Sequence, residues 1–347
     1  LLDIYDILYQ SLLIHIILNK TISKEIQVIL MNRNCSVLIL FTCLYLIIGL
    51  SFGSEVKEEI GENLLEYAID LYQRGDYNAS FEAINHYLID NGENASALNL
   101  RGLLYMNNGS YEFANEDFHK ALTHNGNESI LNYNLGLNSF YLGDMISADI
   151  YFNKARALGY SSFDLLFYSG LVKYGKGSYT EAAELLQNAT IKNPNDSATW
   201  FNLGMAYEQI KKFDLAVHAY DEAIRLDPSY EKPWFFKGRI YHSFGNSSLA
   251  QMAFHNYTTL EPRDDLGWFF YAKSLHDGGK NNESVQALEE ALKINPSNQM
   301  YLEFLNVYVN KNETSFNEVI TSRLSEDVTI LILSLIGIIS ILAIFRR

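Results

Sequence analysis

The chain has little cysteine, little proline and a deficit of basic charge. It holds two cysteines in 347 residues. Both, Cys35 and Cys43, lie in one apolar run near the N-terminus. The rest of the chain therefore offers no disulfide framework and no thiolate site. Lys and Arg total 26 against 41 Asp and Glu, a net charge of −15. Nucleic acid is bound through clustered cations that displace phosphate counterions, so this balance opposes it as a partner. An acidic surface serves solubility instead.

Catalytic constellations are also missing. There is no nucleophile elbow, zinc-protease helix or Cys/His pair, and no carboxylate pair stands out from the many acids. Gly170-Leu-Val-Lys-Tyr-Gly-Lys-Gly177 approaches a phosphate-binding loop. It fails at the last place, where Gly177 stands for the Ser or Thr that would hold Mg²⁺, and it falls within a helix and its turn rather than after a strand. His119 and His124 are spaced wrongly for one helical face, and His242 and His276 lack a third ligand. No enzyme, cofactor, metal or small-molecule substrate is expected.

The scarce residues that remain are periodic. All three tryptophans, Trp200, Trp234 and Trp268, stand 34 residues apart, as do Pro194, Pro228, Pro262 and Pro296. Such a period marks a stacked-repeat protein. Seven windows follow without insertion: 61–94, 95–128, 129–162, 163–196, 197–230, 231–264 and 265–298. Position 8 of these windows reads Ala68, Gly102, Gly136, Gly170, Gly204, Gly238, Ala272, and position 20 reads Ser80, Ala114, Ala148, Ala182, Ala216, Ala250, Ser284. Small residues in both columns mark a close approach of two helices. Position 24 supplies the bulk beside them, from Ile84 and Phe118 through Tyr220 to Leu288. Position 15 is Gly in every window but one, where Lys211 stands, and permits a turn with positive φ. Pro at position 32 stops the second helix.

This pattern resembles the tetratricopeptide-repeat (TPR) family. Window five shows its landmarks in order: Trp200, Leu203, Gly204, Tyr207, Ala216, Tyr220, Ala223 and Pro228. The resemblance covers 61–298 and implies an all-α fold, a right-handed superhelical solenoid of helix-turn-helix repeats. Departures are local. Gly92, Gly126 and Tyr160 replace the proline, and Lys173 takes the usual aromatic position 11.

The flanks are apolar. Residues 1–30 begin with Leu and mix apolar runs with charges, an uncertain extension upstream of Met31. Residues 31–53 have the charged start, apolar centre and small-residue end of a signal peptide, or form a signal anchor. After the repeats, 299–327 reads as a capping helix, with Met300, Phe304 and Tyr308 covering the open end, followed by a stalk. Residues 328–345 are uncharged. A helix there would span roughly 27 Å, close to a hydrocarbon core of about 30 Å. The tail 346–347 is Arg-Arg, and Lys20, Lys24 and Arg33 precede the uncharged stretch that begins at Cys35. Both flanks place the repeats outside the cytoplasm under the positive-inside rule. Ten glycosylation sequons agree with that: Asn78, Asn94, Asn108, Asn127, Asn188, Asn195, Asn246, Asn256, Asn282 and Asn312. They fall at turn positions 14, 16, 18, 33 and 34, and twice at 26 on the second helix.

The resemblance also implies a concave groove lined by positions 2, 5, 9, 12 and 13 of the first helices. Position 5 gives an aromatic ladder, Tyr133, Phe167, Phe201, Phe235 and Phe269. Phe140 and Tyr174 join it at position 12. Arg239 and Lys273 at position 9, with His242 and His276 at position 12, turn the last two repeats basic. The Lys and Asn of a carboxylate clamp are absent, so a peptide with apolar anchors and an acidic end fits better. The expected protein is a membrane-anchored, externally facing scaffold that binds a protein or peptide in this groove. Alternatives are a structural envelope component, an assembly or chaperone factor for exported proteins, and a tail-anchored cytosolic adaptor.

Overall fold

The computed structural model describes residues 64–309, and within them every regular element is an α-helix. The segments 1–30, 31–53, 328–345 and 346–347, the stalk and Asn312 lie outside the described residues. No described helix is long and apolar enough to cross a membrane. The chain divides into two compact units at Asn127 and Glu128.

The first unit holds α1 (64–73), α2 (Tyr77–Asn91), α3 (Ala95–Asn107) and α4 (Tyr111–Thr123). The second begins with α5 (Glu128–Tyr141), α6 (Met145–Ala157), α7 (Phe163–Gly175) and α8 (Tyr179–Lys192). It continues through α9 (Ser197–Gln209), α10 (Phe213–Leu226), α11 (Glu231–Ser243) and α12 (Ser247–Leu260). It ends with α13 (Asp265–Asp277), α14 (Asn281–Ile294) and α15 (Gln299–Val309). Successive helices pair as hairpins.

The small-residue columns have a specific cause. A Cβ placed on Gly102, Gly136, Gly170, Gly204 or Gly238 would lie under 3.0 Å from the side chain sixteen residues later: Phe118, Phe152, Leu186, Tyr220 or Phe254 respectively. Those side chains are themselves fully buried, each worth about 1.5–3 kcal/mol of transfer free energy. They lie directly on the glycine backbone. The two terminal repeats solve the same problem differently. Ala68 faces Ile84 and Ala272 faces Leu288, all buried. There Ser80 Oγ donates to Ala68 O and Ser284 Oγ to Ala272 O, each at 2.7 Å.

The joint period of tryptophan and proline is a hydrogen bond. Nε1 of Trp200, Trp234 and Trp268 donates to the carbonyl of the proline six residues earlier, Pro194 (2.9 Å), Pro228 (3.4 Å) and Pro262 (3.0 Å). The indole thereby fixes the turn that the proline opens. Leu98, Asn132 and Leu166 occupy the tryptophan position in the earlier repeats and follow Gly92, Gly126 and Tyr160, so the indole donor is missing where the proline is.

Lys173, the departure at position 11, is an ion-pair centre. Its ammonium is 12% exposed and meets Asp149 (3.1 Å) from the preceding repeat and Glu181 (2.8 Å) from its own. Lys176 also pairs with Asp149. Burial raises the Asp149 carboxyl pKa, but bonds from Lys176 and Lys173 outweigh it and hold the pKa below its usual value. A charge at this position is therefore matched by its neighbours and does not disrupt the stack.

Helix α15 caps the second unit with a register one residue away from expectation. Tyr301 and Leu305 are buried, while Met300 is 46% exposed. Tyr301 stacks on Phe269 at 4.8 Å and donates to Asp265 Oδ2 at 3.0 Å. Phe304 reaches Phe269 edge-on, but nothing is described of the side chain of Tyr308. The hydrogen bond to Asp265 selects Tyr301 over the more flexible, wholly apolar Met300 as the plug.

The hairpin turns require a left-handed residue. Gly75, Gly109, Gly143, Gly177, Gly245 and Gly279 have φ between 71° and 81°, and Lys211 adopts φ 60° in the same place. A residue with a Cβ is strained there by about 1–2 kcal/mol. Lys211→Gly is therefore expected to raise stability by about 1 kcal/mol, read as a higher urea midpoint. An unchanged midpoint would mean that Lys211 already bears its turn without strain.

Candidate interaction face of the second unit

The first helices of the second unit, α5, α7, α9, α11 and α13, carry the groove residues expected from the sequence. The position-5 ladder is present, but its rings are turned into the seam between repeats. Phe201 is 6% exposed and meets Tyr220 and Tyr230 of its own repeat and Phe236 of the next, at 5.2–5.9 Å. Phe269 is likewise 6% exposed, between Phe270 and the cap residues Tyr301 and Phe304. These two belong to the core, which corrects the expectation that the ladder is an exposed row. The physical reason is that a ring at position 5 and a ring at position 6 of the next repeat complete an edge-to-face pair, a geometry favoured by the ring quadrupoles.

Tyr133, Phe167 and Phe235 are half-buried. Phe235 repeats the seam geometry with Tyr257 (5.0 Å) and Phe270 (5.5 Å). Tyr133 packs on Tyr160 at 5.0 Å, and burial pushes its phenol pKa up. Phe167 stacks along its own helix on Phe163 at 5.9 Å.

A second set of apolar side chains lies one and two turns further along the same helices. Phe140, Leu171, Tyr174 and Met205 are half-buried. Phe140 contacts Tyr168, whose hydroxyl sits 3.1 Å from that of Tyr141. Tyr174 leans on Tyr179 at 5.2 Å, and its phenol pKa is raised first by burial, so it stays a neutral donor.

The basic end is largely neutralised within the protein. Arg239 lies over the Phe236 ring at 5.2 Å and 3.5 Å from Glu208. Glu208 also accepts a hydrogen bond from the buried Tyr220 hydroxyl at 3.0 Å. His242 Nε2 is 3.0 Å from Asp277 Oδ2. His276 Nδ1 lies 3.1 Å from Asn281 Oδ1, with its ring against Phe304. Lys273 is half-buried and enters no ion pair among the described residues. Of the expected basic patch, Arg239 is paired with Glu208, and Lys273 is the lysine or arginine that enters no ion pair among the described residues. The compensating acids, Glu208 at position 12 and Asp277 at position 13, sit at groove positions, but which cation each reaches depends on the stacking of adjacent repeats.

The sequon asparagines Asn78, Asn94, Asn108, Asn127, Asn188, Asn195, Asn246 and Asn282 are exposed, and Asn256 is half-buried. Asn78 and Asn282, expected in turns, lie in the first turn of a second helix. Among the described residues no three His, Cys, Asp or Glu side chains converge as a metal ion would require.

Family comparison matches a tetratricopeptide repeat at 197–230 and a second at 267–298. No curated protein matches the chain. Among solved structures, the C-terminal part of a TPR repeat-containing protein from Cytophaga hutchinsonii superimposes with a TM-score of 0.58 at 16% identity. That match covers 69% of this chain and 98% of that one. MamA matches at 20% identity over 50% of this chain and 95% of its own, TM-score 0.47. YrrB, described as a TPR protein with an unusual peptide-binding site, matches at 19% identity over 65% and 99%, TM-score 0.45.

The seam position of Phe201 makes a direct prediction. Phe201→Ala is expected to lower stability by about 3–5 kcal/mol, visible as a lower melting temperature. A melting curve that does not move would return Phe201 to the surface.

Proposed function

We propose that this chain, whose residues 197–230 and 267–298 match tetratricopeptide repeats, is a protein-interaction scaffold held at a membrane with its repeats outside the cytoplasm. On this reading the first-helix face of the second unit takes a protein or peptide segment. The supporting observation is the set of half-buried side chains on this face that keep part of their surface open, Phe140, Leu171, Tyr174 and Met205, followed by Lys273. Apolar anchors would sit over the first group, and an acidic residue would lie toward Lys273. Arg239 contributes less, because Glu208 already pairs with it. The orientation rests on the basic residues that flank the two apolar segments.

The test uses the full chain on intact cells, with cross-linked partners identified by mass spectrometry. Tyr174→Ala combined with Met205→Ala is expected to preserve the melting temperature within a few degrees and to weaken partner binding by more than about 2 kcal/mol, or roughly thirtyfold. Lys273→Glu should weaken binding mainly at low salt. Retention of the same partners at the same strength by both variants would remove this face from the function.

A further inference from the structure

The described sequons divide into two groups by the placement of their hydroxyl residue. In four of them the asparagine lies within a second helix: Asn78, Asn188, Asn256 and Asn282. Their partners Ser80, Thr190, Thr258 and Ser284 are buried, and each hydroxyl donates to a backbone carbonyl at 2.7–3.1 Å. Ser80 and Ser284 stand in the small-residue column where two helices touch, and Thr190 and Thr258 bond one turn back along their own helix. The fold has its own use for these hydroxyls. Asn256 is further engaged, since its Nδ2 donates to Met252 O at 2.8 Å.

The other five, Asn94, Asn108, Asn127, Asn195 and Asn246, lie outside helix interiors, and their partners Ser96, Ser110, Ser129, Ser197 and Ser248 are exposed or half-exposed. Asn94 and Asn246 cap helices, but through the oxygen. Asn94 Oδ1 accepts from Ser96 N and Ala97 N, and Asn246 Oδ1 from Leu249 N. Joining a sugar to Nδ2 leaves that acceptor intact, so the caps survive modification.

We propose that the five turn sequons are N-glycosylated and that the four helix-borne ones are not. The inference rests on the external orientation proposed above. In the modification, Nδ2 forms a bond to C1 of a sugar carried as a lipid-linked oligosaccharide diphosphate. The C1–O bond to the diphosphate breaks, and the amide nitrogen gives up one proton. The acceptor site must present asparagine and hydroxyl together in an accessible turn. Helical hairpins built from local contacts fold in microseconds to milliseconds, whereas synthesis delivers only about 5–20 residues per second. The buried hydroxyls are therefore withdrawn soon after the hairpin that holds them is complete, while those of Ser96, Ser110, Ser129, Ser197 and Ser248 stay exposed or half-exposed.

The arrangement also leaves one face bare. The first helices contain Asn99, Asn107, Asn132, Asn134, Asn138 and Asn202, and none of these opens a sequon. Within the second unit, bulky sugar on Asn195 and Asn246 is carried by the connections between helices and not by the first helices assigned to the partner.

The experiment expresses the full chain in glycosylating eukaryotic cells. Peptide N-glycosidase treatment in ¹⁸O-water then marks each released site as heavy aspartate for mass spectrometry, with protease accessibility of the repeats measured on the same intact cells. The expected result is labelling at Asn94, Asn108, Asn127, Asn195 and Asn246 and none at Asn78, Asn188, Asn256 and Asn282. Equal labelling of both groups overturns the proposal. Absence of all labelling with protease-accessible repeats also overturns it, while leaving the orientation standing. Absence of labelling with protease-inaccessible repeats, which are cut once the cells are permeabilised, overturns both.

Discussion

Everything in the repeat stack depends on one contact, a large side chain at position 24 lying flat on the backbone of the residue at position 8. It sets the separation of the two helices in a hairpin. Where the large side chain is Phe118, Phe152, Tyr220 or Phe254, the facing residue has no side chain at all. Where it is Ile84 or Leu288, an alanine fits. Leu186 against Gly170 is the one aliphatic partner that still keeps the glycine. Interiors packed at crystal density do not absorb an extra carbon at such a point.

Fixing that separation determines what happens between repeats. The second helix brings its aromatic residues against the first helix of the next repeat, so the rings of Phe201 and Phe235 at position 5 meet rings from both repeats. At the end of the stack Tyr301 and Phe304 of α15 take the place of the missing repeat around Phe269. The seam and the interaction face are thus adjacent strips of the same helices. Burial is deepest in the seam, and the side chains one or two turns further along are half-buried.

The period, the hairpin architecture and the helix contact were legible in the sequence, because they rest on residues whose size or backbone freedom cannot be exchanged. Gly204 and Pro228 are of this kind. The face of the groove was less legible. Phe201 and Tyr174 both recur at 34-residue intervals as aromatics on a first helix, and periodicity alone does not tell seam from surface. Only the presence of Phe236 in the next repeat decides that Phe201 is enclosed. The charges carried the same ambiguity. Arg239 reads as a free cation until the preceding repeat places Glu208 beside it, 31 residues away in the chain. The cap slipped by one residue because the hydrogen bond between Tyr301 and Asp265 is a tertiary feature that a four-residue apolar rhythm does not contain.

A double-mutant cycle on Gly204 and Tyr220 tests the central contact most directly. Unfolding free energies are compared for the wild type, Gly204→Ala, Tyr220→Ile and the double variant. The account predicts strong coupling: the added methyl costs about 1–3 kcal/mol against the tyrosine ring and little against isoleucine, the residue that stands with Ala68 at Ile84, giving an interaction energy of at least about 1 kcal/mol. Additive effects within about 0.5 kcal/mol would contradict it and show that something other than the ring holds the helices at their distance.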